Sequence, residues 1–339
     1  MIELPYVLRH ENICRLEGNR LLIGDRRVFP FEKRFEVCAN VQEVARSLQA
    51  MVTQGGGPLE VALQTMILVT NQMQQGLLGH GFETLTDAAK LLIAARPTNT
   101  TMHRALSHLL AAVQPKQADL EELASALKQE VSSMLDGYDQ LYHQMGRLGS
   151  SLIADRSVIL TTCFAEHTFL LSLAYAKESG KEVRVLANET RPYLQGSRLT
   201  AVSLEEMDIE VNVITDGMGA TFMEAGKVDA YMTAVDLLCM DGTVVNKVGT
   251  LANAIAARYA SVPYYAFSIS PDPSKQGRAD VTMEMRPPQE VKRCMGSATT
   301  LDSIKALYPA FDSIPAQLVT ALVTPKGILK PEEIQRNFS

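Results

Sequence analysis

The sequence predicts an α/β protein with a mainly parallel, doubly wound sheet in its C-terminal half and a small β-meander with helices in its N-terminal half. Two patterns support this fold class. From about residue 150, short β-rich runs alternate with apolar-periodic helical segments, which is typical of βαβ units. Before that point, one alternating segment is followed by several helical patterns. We therefore expect two domains, residues 1–149 and residues 150–339.

The amino-acid composition and charge argue against one kind of partner, nucleic acid. At 339 residues, with 46% hydrophobic and 21% charged residues, the chain has an ordinary globular composition and enough length for full cores. The formal net charge is −6 and no concentrated Lys/Arg stripe is present, which argues against a nucleic-acid-binding surface. We therefore expect no nucleic-acid partner.

Cysteine usage and hydropathy indicate the compartment. The five cysteines are scattered and form no CxxC pair, so they support neither a disulfide framework nor a zinc site. The first residues lack the basic and apolar regions of a signal peptide, and no apolar run approaches membrane-spanning length. These features predict a cytoplasmic, soluble protein without a membrane partner.

The N-terminal half begins with a predicted meander. Residues 12–29 alternate in polarity, and Gly18-Asn19 and Gly24-Asp25 are turn pairs that separate strands at NICRLE, RLLI and RRVF. Helices should follow, the first opened by Asn40 as N-cap with Glu43 three residues later. The predicted helical ranges are about 41–54, 86–95, 99–113 and a long one from Asp119 toward Gly149.

Two features of this half could bind an anion. Gly55, Gly56 and Gly57 precede Pro58 at a predicted helix start, where free backbone N–H groups would face a ligand. A flexible turn between helices explains the same pattern. Arg96 stands just before another helix start and is either a surface cation or a ligand-binding residue.

The C-terminal half places polar residues at the ends of its strands. In open parallel sheets, ligands bind in the crevice beyond the carboxyl ends of the strands. The predicted strands are about Val158–Thr162, Val183–Ala187, Glu210–Thr215, Ala230–Val235 and Tyr264–Phe267. The residues that follow them are Cys163, Glu189, Asp216, Asp236 and Ser268, which predicts one polar row along a single sheet edge.

Two members of this row could carry chemistry. Cys163 precedes a predicted helix whose N–H groups would lower the thiol pKa, although a small core cysteine is the alternative. Asp236 closes an apolar strand and is followed by Leu237-Leu238, so burial could raise its pKa and make it a general acid. The alternative is an aspartate that caps a turn.

A third candidate is a cation near a helix start. Asn246 and Lys247 lie shortly before or within the first turn of a predicted helix, beside Gly249 and Thr250, as in a phosphate site. Neither GxxxxGK[ST] nor GxGxxG is present, which argues against nucleotide hydrolysis and dinucleotide binding.

Several motifs together resemble a known superfamily. They are NETRPYLQGSRLTA (188–201), GGGP (55–58), RPT (96–98), TTC (161–163), VITDGM (213–218), VD (235–236), GTVVNKVGT (242–250) and YPAFDSIPAQLVTALVTPKGIL (308–329). They occur in the order found in the methylthioribose-1-phosphate isomerases, whose relatives include ribose-1,5-bisphosphate isomerases and the alpha, beta and delta regulatory subunits of initiation factor 2B.

The resemblance implies a Rossmann-like C-terminal domain, a homodimer, a place in methionine salvage, and conversion of an aldose 1-phosphate to a ketose 1-phosphate without metal or cofactor. It implies Asp236 as the acid for the ring oxygen and Cys163 as the base that moves hydrogen from C2 to C1. The substrate-binding positions that it implies are Gly55, Gly56, Gly57, Arg96, Gln195, Asn246 and Lys247.

The chain departs from the family at four of these motifs. Enzymes of the family usually read RGAP, THCNAG, DETRP and GADRI where this sequence has GGGP (55–58), TTCFAE (161–166), NETRP (188–192) and AVDLL (234–238). The changes predict a changed substrate, for example 5-deoxyribose 1-phosphate or ribose 1-phosphate.

A second hypothesis is that the protein is a regulatory homologue that senses a sugar phosphate or nucleotide without turnover. In that case it would resemble the initiation-factor subunits. Those relatives generally lack the cysteine and the aspartate together. Retention of both Cys163 and Asp236 favours catalysis.

Overall fold

The structure is a computed structural model that describes residues 2–97 and 99–339, so Thr98, the last residue of the RPT motif, lies outside the described residues. Its contacts divide the chain into two compact units: Tyr6–Gln140, and Met1–Pro5 together with Leu141–Ser339. The domain boundary expected at residues 149 and 150 falls within the helix Leu120–Ser151, and a division there stays a prediction.

The first unit begins with a three-stranded antiparallel sheet. Its strands are β1 (Cys14–Glu17), β2 (Arg20–Gly24) and β3 (Phe35–Cys38), in that order. The first two predicted strands are confirmed, but the third, at RRVF, is wrong because those residues form a turn. The Asp25 carboxylate there accepts hydrogen bonds from the backbone N–H of Arg27 (3.0 Å) and from its guanidinium (2.8 Å), which folds the chain back on itself.

Helices cover the rest of the first unit. Asn40 caps the helix after β3, accepting from the Glu43 N–H at 2.9 Å, while the Glu43 carboxylate accepts from Ala39 at 2.7 Å. This helix ends earlier than predicted because Met51 takes a left-handed φ of 59°. The helices are α1 (His10–Ile13), α2 (Val41–Gln49), α3 (Gly57–Gln74), α4 (Phe82–Ala95), α5 (Thr100–Val113) and α6 (Leu120–Ser151).

A histidine between two carboxylates gives the first unit a pH-dependent stability. His10 hydrogen-bonds Asp139 and Glu60, each at 2.9 Å, and these contacts raise its pKa to about 10. Because the folded pKa lies above the unfolded value of about 6.5, the stabilisation is complete below that value and is lost as pH rises toward 10.

We therefore expect the free energy of unfolding of wild type to exceed that of His10→Gln by an amount that shrinks as the pH rises from about 6.5 to about 10. Urea unfolding of both proteins at several pH values measures the difference. A difference that stays constant over this range would contradict the assignment.

The second unit is built on a seven-stranded sheet, which confirms the predicted α/β class. Its order is β15-β14-β10-β7-β4-β5-β6, and every neighbouring pair is parallel except β14 with β15. The strands are β4 (Ser157–Thr161), β5 (Val183–Asn188), β6 (Glu210–Ile214), β7 (Ala230–Ala234), β10 (Tyr264–Phe267), β14 (Ala321–Thr324) and β15 (Gly327–Leu329).

The five strands predicted from the sequence are confirmed, while β14 and β15 were missed. A single 3₁₀ turn, Ala316–Leu318, precedes β14 instead of a full crossover helix, so the strand-and-helix alternation does not mark it. The helices of this unit are α7 (Glu166–Glu178), α8 (Ala201–Glu206), α9 (Gly219–Glu224), α10 (Thr250–Tyr259) and α11 (Ile334–Phe338).

A second, antiparallel sheet lies in the same unit and carries part of the candidate site. Its order is β13-β9-β8, formed by Phe311–Ile314, Val244–Lys247 and Leu237–Leu238. A two-stranded ribbon, β11 (Arg293–Cys294) with β12 (Ser297–Ala298), completes the strands. In residues 2–97 and 99–339, no helix has both the length and the apolar character needed to cross a membrane.

Candidate functional site

The carboxyl edge of the seven-stranded sheet gathers the predicted polar row. Strand order places Asp216 after β6, Glu189 after β5, Cys163 after β4, Asp236 after β7 and Ser268 after β10. These five strands are direct neighbours, and all run in one direction. The row predicted from the sequence is therefore a feature of the fold.

The backbone around Cys163 is held in an unusual conformation. Cys163 has a φ of 70°, and its N–H donates to the Thr190 hydroxyl at 2.9 Å while its carbonyl accepts from the Thr200 hydroxyl at 2.7 Å. Glu166 and Leu194 also have positive φ values, as does Thr190 itself. Left-handed non-glycine residues cost about 1–3 kcal/mol each and concentrate at functional sites, so this loop is a candidate for function.

The surroundings of Cys163, which is half-buried, do not favour the thiolate that the sequence predicted there. Burial raises the pKa of Cys163 to about 12, more than the nearby Lys247 lowers it, and Asp236 raises it further. The helix that was expected to stabilise a thiolate begins only at Glu166. Cys163 therefore carries its proton near neutral pH.

The burial predicted for Asp236 is also wrong, because the residue is exposed. Its backbone N–H donates to the Val245 carbonyl at 2.9 Å, at the point where the chain passes from β7 to β8. Leu238 belongs to the apolar core, and Val235 packs against that core. These side chains pack in the core, whereas Asp236 is exposed and its carboxyl group raises the pKa of the Cys163 thiol.

A buried cation interacts electrostatically with the same thiol. Lys247 ends β9, is 4% exposed, and places its ammonium 4.9 Å from the Phe311 ring centroid and 5.6 Å from that of Tyr193. Within the described part of the chain, no carboxylate lies at ion-pair distance from it. A buried ammonium that lies over two aromatic faces, with no carboxylate at ion-pair distance among the described residues, is suited to hold an anionic ligand.

The helix N–H groups beside Lys247 are not free to bind a ligand, whereas phosphate binding by Lys247 itself stays a prediction. The N–H groups of Gly249 and Leu251 donate to the Asp312 carboxylate at 2.8 and 3.0 Å. Asn246 is buried and donates to the Thr250 hydroxyl at 3.2 Å. The carboxylate thus caps α10, and Lys247 is left as the cationic group of this loop.

Gln195 presents an acceptor without a partner. It is 2% exposed, and its Oε1 has no hydrogen-bond donor among residues 2–97 and 99–339. The next residue, Gly196, packs so tightly that a Cβ there would collide with the Asn188 carbonyl. The turn that carries Gln195 is therefore fixed, and its amide oxygen can accept from a ligand hydroxyl.

Asn188 does not reshape the pocket as its departure from the family suggested. It is fully buried, and its Oδ1 accepts from Thr162 (3.1 Å) and Asn253 (2.9 Å) while its Nδ2 donates to the Thr215 carbonyl (3.3 Å). It belongs to an internal polar network, which holds the ends of β4 and β5 against α10.

The remaining predicted residues lie in the first unit. Gly55 has a φ of 63° and α3 begins at Gly57, so the predicted glycine-fed helix start is confirmed. Arg96 ends α4, and its guanidinium contacts the Leu48 carbonyl (3.5 Å) and the Met51 sulfur (3.0 Å). Substrate binding by Gly55–Gly57 and Arg96 stays a prediction.

Sequence reasoning missed a tyrosine and arginine cluster near Lys247. Arg286 donates to the Tyr193 hydroxyl at 2.7 Å, Tyr193 donates to Glu290 at 2.5 Å, and Arg286 pairs with Glu284 at 3.1 Å. Tyr193 lies 93 positions from Arg286 and 97 from Glu290, so no spacing in the sequence marks the cluster. Of its members, Tyr193 alone falls in a quoted motif. Among the described residues, no group of three or more metal-ligating side chains is assembled.

Comparison with known proteins assigns the chain to a family. Residues 59–331 match the family described as "Initiation factor 2 subunit family". The methylthioribose-1-phosphate isomerase of Thermotoga maritima is 35% identical over 327 residues, covering 93% of both chains.

Two solved structures share the fold over nearly the whole chain. The 5-methylthioribose 1-phosphate isomerase of Pyrococcus horikoshii OT3 is 25% identical with a TM-score of 0.81, covering 96% of this chain and 94% of that one. Translation initiation factor eIF-2B, subunit delta, from A. fulgidus is 29% identical with a TM-score of 0.79, covering 95% and 96%. The chain therefore belongs to the initiation factor 2 subunit family, in which its curated relatives are methylthioribose-1-phosphate isomerases.

Proposed function

We propose that this protein is an aldose–ketose isomerase that converts methylthioribose 1-phosphate, or a related pentose 1-phosphate such as 5-deoxyribose 1-phosphate, to the ketose 1-phosphate. The observation that carries the proposal is that the Cys163 thiol, at the carboxyl edge of the sheet, interacts electrostatically with both the buried Lys247 ammonium and the Asp236 carboxyl group. The site combines a cation for the phosphate with two groups for proton transfer. The names of the relatives support this substrate class.

The proposed reaction assigns a role to each of these groups. A sugar whose C1 oxygen carries phosphate cannot open its ring unaided, so the ring oxygen must receive a proton and hydrogen must move from C2 to C1. Since Cys163 holds its proton, we assign the donor role to its thiol, and Asp236 accepts the proton from the C2 hydroxyl. This exchanges the two roles expected from the resemblance, and the chain supplies both groups without metal or cofactor.

Hydrogen transfer should then occur as a hydride shift. With a Cys163 pKa of about 12, roughly one protein molecule in 10⁵ carries a Cys163 thiolate at pH 7. Phosphate binding at Lys247 would offset the charge that lowers this pKa, so substrate would not promote ionisation.

We expect the reaction in deuterium oxide to give a ketose 1-phosphate without deuterium on C1. Mass spectrometry and proton NMR of the product measure the label. Substantial deuterium at C1 would instead show proton exchange through an enediol and would contradict the hydride shift.

The test of the function is turnover of a panel of aldose 1-phosphates followed by NMR. We expect ketose 1-phosphate from methylthioribose 1-phosphate, 5-deoxyribose 1-phosphate or ribose 1-phosphate, and none from the unphosphorylated sugars. Binding of these compounds without turnover of any of them would favour the regulatory, ligand-sensing alternative.

Four further properties stay predictions. The homodimer and a place in methionine salvage rest on the family resemblance, and the cytoplasmic location rests on the five unpaired cysteines. The substrate roles of Gln195, Asn246 and Lys247 rest on the family resemblance, and the burial of Lys247 and the unpartnered Oε1 of Gln195 support two of them.

A further inference from the structure

Tyr308 is held in place by backbone hydrogen bonds on both sides. Its carbonyl accepts from the Arg286 N–H at 2.9 Å, and the Ala310 N–H donates to the Glu284 carbonyl at 2.9 Å. On the other side, the Ala310 carbonyl accepts from Val248, the residue after β9, at 3.1 Å. The backbone at Tyr308 is therefore fixed by two neighbouring segments.

The hydroxyl of this ring is buried without a partner. Tyr308 is 2% exposed, and its Oη has no hydrogen-bond partner in the described part of the chain. Its ring packs edge-on against Tyr193, with centroids 6.1 Å apart. A buried polar atom without a partner is unfavourable, so its retention needs an explanation.

Other tyrosines of this unit have their hydroxyls satisfied. Tyr231 pairs with Thr162 at 2.8 Å, and Tyr264 pairs with Thr233 at 2.9 Å. Tyr308 differs from both, although it is buried to a similar degree. The difference points to a partner that is not part of the protein.

The ring contacts of Tyr308 place it next to the Lys247 group, because Tyr193, which its ring contacts, lies 5.6 Å from the Lys247 ammonium. Burial raises the pKa of Tyr308, and Tyr193, Glu290 and Cys163 raise it further, so the hydroxyl keeps its proton and can donate. Cys163 is thus one of the groups that act on the Tyr308 hydroxyl electrostatically.

Given the proposed function, we propose that Tyr308 is a substrate-contacting residue, whose buried, unpartnered hydroxyl donates a hydrogen bond to a sugar oxygen beside the Cys163 thiol. The recognised group is a hydroxyl or carbonyl oxygen of the pentose, because the cation suited to phosphate is Lys247. The ligand class is therefore a pentose phosphate with an oxygen on the reacting carbons.

The test compares Tyr308→Phe with Tyr264→Phe, a matched control whose lost hydroxyl has a protein partner. For Tyr308→Phe we expect kcat/KM to fall by about 10-fold, the value of one hydrogen bond, with most of the loss in kcat. Its melting temperature should equal or exceed that of wild type, because a buried hydroxyl without a partner is removed. Tyr264→Phe should show the reverse, a lower melting temperature with normal turnover.

The outcomes separate this inference from the proposed function. If wild type turns over the substrate and Tyr308→Phe does so at the same rate, the inference is overturned and the function stands. The same conclusion follows if Tyr308→Phe lowers the melting temperature as far as Tyr264→Phe does. If wild type binds the pentose phosphate without turnover, the function fails, and calorimetry then decides the inference. Weaker binding by Tyr308→Phe supports it, whereas equal binding, or no binding by wild type, overturns it.

Discussion

Replacing Cys163 by serine or Asp236 by asparagine should lower kcat on the true substrate by about 10²–10⁴-fold, the usual contribution of a general acid or base. Serine keeps a small polar group but is a far weaker acid than a thiol. Asparagine cannot accept a proton as a carboxylate does. Both rates should fall because the donor and the acceptor act in the same turnover.

The fold should tolerate both substitutions. The hydrogen bonds that hold Cys163 come from its backbone, and Asp236 is exposed. Circular dichroism and thermal unfolding should therefore match wild type. The matched controls are Cys294→Ser, a half-buried thiol in β11, and Asp208→Asn, which precedes β6 at the opposite edge of the sheet. Near-normal turnover by both site variants would remove these residues from the mechanism.

Replacing Lys247 by methionine should weaken binding of the sugar phosphate by about 10–10²-fold, because a charge-assisted hydrogen bond contributes about 1.5–3 kcal/mol. Methionine has a similar volume, and a buried ammonium without a carboxylate partner costs desolvation energy. Stability should therefore stay equal or rise while affinity falls. A structural role for Lys247 predicts the opposite change in stability.

Calorimetry with the phosphorylated and unphosphorylated sugar measures this effect. Wild type should prefer the phosphorylated sugar, and Lys247→Met should lose most of that preference. Lys177→Met is the control, since Lys177 is a lysine paired with Asp208 at 2.7 Å at the opposite edge of the sheet. An unchanged preference in Lys247→Met would place the phosphate elsewhere.

The sequence predicted the architecture of the second unit well, because strand-and-helix alternation is a local pattern. The polar row after five strands followed from chain order alone, since parallel strands end at the same edge. The turn at Arg26-Arg27 and the helix-free strand β14 escaped the same reasoning. Pairing of Arg27 with Asp25 decides the conformation of the turn, and pairing with β10 decides that of β14.

The chemistry of the site was less predictable, because it depends on burial. The pKa of Cys163 and the exposure of Asp236 each differ from the expectation that their neighbours in sequence suggested. Asn188 looked like a changed ligand-binding residue but has internal partners. Tyr308 could not be singled out at all, because an unpartnered hydroxyl is visible only once its surroundings are known.

Methylthioribose 1-phosphate labelled with ¹³C at C2 tests the central claim most directly. If the protein is an aldose–ketose isomerase, the labelled carbon becomes a ketone carbonyl, and its NMR signal moves from the alcohol to the carbonyl region. We expect this conversion with wild type and a rate lower by about 10²–10⁴-fold with Cys163→Ser. A C2 signal that stays in the alcohol region while calorimetry shows wild type binding the sugar phosphate would contradict the account.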